Sequence, residues 1–456
     1  MTETKRDFGS FHSSNVEELI HQSELDYKSP SLSVVFDSTK FKDLNFGSLE
    51  LKKQLFYLSG DFCFLNHGAF GLSFKPVIDY VHDWKCYAES QPLRFNDRQI
   101  IPLLVDLIRK FAKLIFKCKP NEMALVENCT FAFNSLINSL TLKKGEKIFI
   151  LSTTYGVYKK ILREYCDKNE VILIEEQISF PINDKIELET QTLKKLELNL
   201  IKDENEHKIK LILIDHIPSN QPFLMPIEKI SNYCKSKRPD ILFVVDAAHS
   251  LGSVKNFTFD KYPNVDILFT NCHKWFCGPK GTGFVYVKEN INFKLRPCVH
   301  SHGINSGFNS EFIWTGLKDY SIFLGLYANL DLWLNCFGGM DGPIDYCYSL
   351  IREASIYLKN LWDTGYMVDY SLCSTMVCVR LPIKFVRNIL GKVGRENENI
   401  SYDQAEVIQN YFYFNHSIEV PVKCVQNNLY VRLSAHIYNR IQDYELLGDV
   451  VMANLE

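Results

Sequence analysis

The residue types able to do chemistry gather in one stretch, Leu242 to Val287, which reads LFVVDAAHSLGSVKNFTFDKYPNVDILFTNCHKWFCGPKGTGFVYV. Two apolar runs here stop abruptly at reactive side chains. Ile241 to Val245 ends at Asp246-Ala247-Ala248-His249. Ile267 to Thr270 ends at Asn271-Cys272-His273-Lys274, and a glycine-rich turn follows. An acid and a lysine delivered to one pocket suit pyridoxal phosphate (PLP). The amine can form a Schiff base with the cofactor aldehyde. The carboxylate can keep the pyridine nitrogen protonated, so that the ring draws electrons. A buried Asp–Lys ion pair uses the same two residues, and both readings are open at this point.

The elements that must position these groups are legible around them. Short unbroken runs of Ile, Leu, Phe and Val suit strands buried on both faces of a parallel sheet. Ligands of such sheets bind outside the carboxyl ends of the strands, where Asp246 and Lys274 stand. Upstream, strands are expected at Met123 to Val126, Lys147 to Leu151, Val171 to Glu175 and Lys210 to Ile214. Helices are expected at Pro76 to Glu89, Pro102 to Lys117, Phe131 to Leu140, Tyr155 to Asn169, 185–208 and Pro226 to Lys237. This β–α alternation predicts an α/β fold with a mostly parallel sheet. The strand at Met123 delivers Glu127-Asn128-Cys129-Thr130 to a helix start, an arrangement that presents backbone N–H groups to a phosphate. A plain helix cap by Thr130 explains the same letters.

After about Arg296 the texture changes. Glu311 to Asp319 reads as a polar-aromatic loop. Tyr320 to Cys336 and Gly342 to Trp362 read as apolar helices. Thr375 to Leu381 alternates like a half-buried strand, and Glu419 to Cys424 with Asn428 to Leu433 read as an antiparallel pair. The expected organisation is a poorly ordered 1–45, a segment 46–75 that joins the smaller unit, a large domain 76–300 and a small α+β domain 301–456.

Bulk composition narrows the class. The chain has 456 residues, 46% hydrophobic and 23% charged, and a net charge of −3. That is ordinary for a globular protein, and neither nucleic acid nor an anionic membrane is an expected partner. The N-terminus lacks the apolar core of a secretory signal, and no apolar run is long enough to cross a bilayer. The 14 cysteines are scattered without a CxxC pair, so reduced thiols and the cytosol are expected. Gly278-Pro279-Lys280-Gly281-Thr282-Gly283 does not fit a dinucleotide fingerprint. His300-Ser301-His302 has no spaced Asp, Glu or Cys partner, and no metal is expected.

These pieces together resemble the class V aminotransferase family, among the fold type I PLP enzymes. The similarity is to the isopenicillin N epimerase-like branch, which includes cysteine desulfhydrases. It is carried by FLNHGAFG, QPLRF, ENCTFAFN, DHIPS, VVDAAHSLG, TNCHKWFCGPKGTGF, SHG, FIWTGLKDYS and VRLSAHIYN, nearly the whole chain beyond residue 48. The resemblance implies a seven-stranded-type sheet in the large domain. It implies that Lys274 binds the cofactor and shuttles the α-proton, that Asp246 pairs with the pyridine nitrogen, and that His249 lies near the ring hydroxyl. It gives Cys129, Thr130, Asn271 and His273 to the phosphate and Tyr155 to the ring face. Thr315 and Gly316 would reach the phosphate of a neighbouring subunit in a homodimer with shared sites. Arg432 would take the substrate α-carboxylate, a bidentate task suited to guanidinium. Asn66, His67 and Ser219 would line the substrate side. The mobile catalytic cysteine of desulfurases has no counterpart other than Cys424, read as a core thiol. The expected activity is cleavage of a β-carbon–sulfur bond of cysteine or a cysteine conjugate. Epimerase, aminotransferase and catalytically inactive binding subunit are the alternatives.

Overall fold

The computed structural model describes residues 15–60, 62–201, 208–395 and 399–455. Its strands in chain order are β1 (Cys63–Phe64), β2 (Met123–Val126), β3 (Lys147–Leu151), β4 (Ile172–Glu176), β5 (Ile209–Asp215), β6 (Leu242–Asp246), β7 (Ile267–Asn271), β8 (Gly283–Val287), β9 (Met376–Arg380), β10 (Ile418–Glu419), β11 (Val422–Val425) and β12 (Asn428–Ser434). Seven of them form one sheet in the order β2-β8-β7-β6-β5-β3-β4. All neighbours pair parallel except β8, which runs antiparallel between β2 and β7. The carboxyl ends of the adjacent strands β5, β6 and β7 deliver Asp215, Asp246 and Asn271 to one edge. Lys274 lies three residues past the end of β7.

Burial explains why these runs are strands. Ile267 through Asn271 is buried at every residue, as is Phe243 through Asp246. Helices cover both faces, and their apolar sides face the sheet. Leu103, Leu104, Leu107, Ile108 and Phe111 of Ile100–Phe111 are all buried, at helical spacing. A second, three-stranded antiparallel sheet has the order β11-β12-β9 and packs against the helices Asp341–Leu361 and Tyr402–His416. The parallel pair β1–β10 ties the N-terminal segment to this smaller unit.

Four expectations are corrected. The segment 15–45 is packed rather than loose, while 1–14 lies outside the described residues. Val16, Leu19 and Ile20 of the helix Val16–His21 are buried. The buried Arg109 guanidinium holds the carbonyls of Leu19, Ile20 and Gln22 at 3.1, 2.9 and 2.9 Å. Glu311 belongs to a helix, Phe308–Ile313, instead of a loop. Its carboxylate is buried and paired with Arg296 at 2.9 Å, so a residue that reads as solvated is inside. The chain past 301 continues on the large unit. Ser321–Asp331 packs against the helices Lys75–Ser90 and Ile100–Phe111, and the smaller unit is built from about 341 onward. Finally, β9 is buried at four of its five residues rather than alternating, because helices and the large unit cover both of its faces. β8 and the helix Ile383–Gly391 were not anticipated.

Candidate active site

A cavity of about 660 Å³ opens at the carboxyl edge of the large sheet. Nine of the residues singled out above line it: Cys129, Thr130, Tyr155, Ser219, Asp246, His249, Asn271, His273 and Lys274. Asp246 ends β6, and its Oδ1 accepts the Ala248 N–H at 2.8 Å. Burial raises its carboxyl to about 6, although that N–H and Lys274 favour the charged form. Lys274 is buried, and desolvation brings its ammonium down to about 8.

The hydrogen bonds around His249 define the state of that lysine. The Trp275 indole N–H donates to His249 Nδ1 at 3.2 Å. An indole can only donate, so a neutral ring carries its own proton on Nε2. Lys274 Nζ lies 3.0 Å from that nitrogen. Burial first, then the charge of Lys274, holds the imidazole well below its usual range, so the ring is neutral. An Nε2–H facing Lys274 Nζ favours the unprotonated, nucleophilic amine, which burial makes accessible from about pH 8.

Close backbone packing holds the lysine. A Cβ on Gly71, at φ +66°, would sit 2.2 Å from the His273 carbonyl oxygen and 2.6 Å from Lys274 Cα. Gly252, at φ +82°, lies as close to Trp275. Only glycine permits both approaches. His67 does not line the cavity. It is buried behind the lysine, with Nε2 3.0 Å from the Lys274 carbonyl and Nδ1 3.1 Å from the Tyr438 hydroxyl. Its expected substrate contact is replaced by support of the Lys274 backbone.

Opposite Asp246, the helix Cys129–Ser139 points its N-terminus at the cavity. The cap is Asn128, whose Oδ1 accepts the Phe131 N–H at 2.9 Å; Thr130 is not the cap. Asn271 Oδ1 takes the Cys129 N–H at 3.0 Å. Thr130 keeps its own N–H and hydroxyl for a ligand. The expected anchor Asn271 thus acts through Cys129. His273 lies beside them and turns its Nδ1 to the Thr282 carbonyl at 3.2 Å.

The other expected residues lie off the cavity wall. Arg432, almost wholly buried, donates to the Ser219 carbonyl at 2.6 Å and to Asn66 Oδ1 at 3.0 Å, and its Nε has no partner. Thr315 and Gly316 bond within their own turn to Lys318 and Tyr320. Lys318 also pairs with Glu127, next to the helix cap. Cys424 sits in β11 near the Ile400 carbonyl, away from the cavity.

Asp215, Tyr158 and Lys280 line the cavity and were missed. Asp215 stands beside Asp246 at the same register. Its Oδ2 accepts the Tyr155 N–H at 3.1 Å, and its buried Oδ1 has no partner. Burial, then the neighbouring Asp246, pushes its carboxyl well above the usual range. It ends an apolar run just as Asp246 does, so the same signal marks it. Nothing local marks Tyr158, which a helix brings in from below.

The cavity thus has a buried amine with a lowered affinity for its proton, a carboxylate facing it, and free donors at a helix N-terminus. These fit an aldehyde, a protonated ring nitrogen and a phosphate. Residues 103–309 match the model of the aminotransferase class-V family. Over 422 residues the chain is 26% identical to a probable chloroplastic L-cysteine desulfhydrase of Arabidopsis thaliana, covering 89% of this chain and 85% of that protein. Two solved structures have the same fold. One is a mutant of C-DES with glycine covalently linked to its PLP cofactor, with TM-score 0.69, 16% identity, and 88% of this chain and 98% of that one covered. The other is the cystine C–S lyase C-DES in complex with its product cysteine persulfide, with TM-score 0.68, 16% identity, and 86% and 97% covered. The fold type I architecture is therefore the one observed. Among the described residues, no helix is long and apolar enough to cross a membrane.

Proposed function

We propose that this chain is a PLP-dependent C–S lyase of the cysteine desulfhydrase type, acting on L-cysteine or a cysteine conjugate. The observation that carries the reading is the buried Lys274, its Nζ 3.0 Å from His249 and its ammonium brought down to about 8, across from Asp246 in a cavity with phosphate donors at Thr130. The named activity of the Arabidopsis relative points the same way. When bound, PLP supplies an electron sink for negative charge at the substrate α-carbon.

The chain's own groups do the rest. Asp246 holds a proton at the ring nitrogen. Thr130 donates to the phosphate. Tyr155, its backbone fixed by Asp215, covers the ring face. Arg432 receives the α-carboxylate, and Lys274 Nζ takes the α-proton. Loss of the sulfur group and addition of water then give sulfide, pyruvate and ammonia from cysteine. Phe70 lines the cavity yet is 80% exposed, and Leu317 beside Gly316 is 79% exposed. The exposed Phe70 ring at the cavity and the exposed Leu317 on the neighbouring turn support a homodimer in which a second copy covers apolar groups. All 14 cysteines are free thiols, which supports a reducing compartment such as the cytosol.

The test is purified protein supplied with PLP and L-cysteine. Sulfide and pyruvate should appear in equal amounts, with Lys274→Ala slower by roughly a thousandfold or more. Formation of D-cysteine, or amino transfer to a keto acid, without sulfide replaces the lyase by an epimerase or aminotransferase. No visible absorption from lysine-bound cofactor marks an inactive binding subunit.

A further inference from the structure

Register decides which side chains of the small sheet share a face. Tyr430 and Arg432 are two residues apart on β12 and point the same way. Lys423 stands opposite Tyr430, and Cys378 opposite Arg432. The end of this face with Arg432 and Ser434 looks toward the cavity, and Lys423 stands on its outer side, next to Tyr430. Arg432 reaches Ser219, which lines the cavity, and Ser434 on the same face accepts the Gly68 N–H at 3.3 Å. Lys423 and Arg432 are therefore diagonal cross-strand neighbours, about 7 Å apart at the backbone.

Neither cation has an anion. Arg432 meets only a carbonyl, a hydroxyl and an amide oxygen, and its Nε is unpartnered. Lys423 makes no ion pair with any described residue. The carboxylate of Glu419 is held by the Asn66 amide at 2.9 Å. Burial, then the charge of Arg432, brings the Lys423 ammonium down to about 8. A buried guanidinium beside a half-buried ammonium, with no counter-ion between them, is costly, and a ligand anion relieves that cost. One α-carboxylate fills one guanidinium fork. The second cation calls for a second anionic group.

We propose that Lys423 receives a distal anionic group of the substrate, which makes the preferred substrate a cysteine joined through sulfur to an acid-bearing group. This rests on the reading that Arg432 takes the α-carboxylate. With a carboxylate one carbon beyond the sulfur, Cα, Cβ, the sulfur and one methylene separate the two carboxylates, so an extended substrate presents one anion to each of two neighbouring cations.

The test compares S-carboxymethyl-L-cysteine with its neutral isostere S-carbamoylmethyl-L-cysteine on PLP-loaded enzyme. The kcat/KM ratio of acid to amide should exceed about ten, lying mainly in KM, because only the acid meets Lys423. Lys423→Met should bring the ratio to about one, and Lys423→Arg should keep it. Calorimetric binding of the same two compounds is read in parallel. Tighter binding of the acid that Lys423→Met abolishes sustains the proposal even if no C–S bond is cleaved, in which case the lyase reading alone fails. A ratio and binding near one in the wild type, or a preference that survives Lys423→Met, overturn the proposal while leaving lyase activity intact.

Discussion

Asp215 and Asp246 end adjacent strands side by side, with both carboxylates buried. Charging both in one cavity is unfavourable, and the acid form is favoured. Asp246 reaches about 6 in the folded chain against an ordinary 3.8. A raised carboxyl contributes stability that is complete below about pH 4 and is lost as pH rises through about 6. Asp246→Asn removes the charge that folding must bury. In the cofactor-free protein it should raise stability near pH 7.5 by ~2–3 kcal/mol, and the gain should vanish near pH 4. Thermal melts of both proteins over that range check this, and a constant offset at every pH would refute it. Asp246 and Lys274 were legible because each follows an apolar run that can only be a buried strand. The roles of Trp275 and His67 were not, since a hydrogen bond across the fold leaves no trace in local spacing. Lys423 falls within the expected strand Glu419 to Cys424, and nothing in its spacing sets it apart.

At the scale of elements, Gly71 sets how closely the turn after β1 approaches the lysine. Gly71→Ala meets the His273 carbonyl and a positive φ together. It should cost ~2–4 kcal/mol in urea unfolding and also reduce turnover, because Lys274 Cα must shift. A variant of unchanged stability and activity would show that the contact is not tight. Strand–helix alternation revealed most of the large sheet, with β3 and the bounds of β2 recovered to the residue. β8 escaped because its residues follow a glycine-rich loop, and nothing in GFVYV tells parallel from antiparallel. The helix Phe308–Ile313 escaped because its buried Glu311 depends on Arg296 for neutralisation. The helix cap moved from Thr130 to Asn128, a shift that frees the threonine to face the ligand.

For the whole molecule, the segment 15–45 is a strap across the large unit. The short helix at Val16 has too few residues to declare itself by periodicity, and its docking depends on Arg109 binding carbonyls that any sequence would present. Removing residues 1–44 strips those acceptors from a buried guanidinium. A fall of ~3–5 kcal/mol in urea stability is expected, measured by the midpoint shift, and an unchanged midpoint would make the strap dispensable. The β1–β10 pairing also carries a consequence for biosynthesis. Chain elongation completes the amine, the carboxylate and the helix N-terminus well before β10 and Arg432 emerge, and domains fold in that order. Until then β1 waits without its partner strand. A nascent chain can thus complete the sheet edge that carries Asp246 and Lys274 while Arg432, and the His436 and Tyr438 that back the lysine turn, are still unsynthesised.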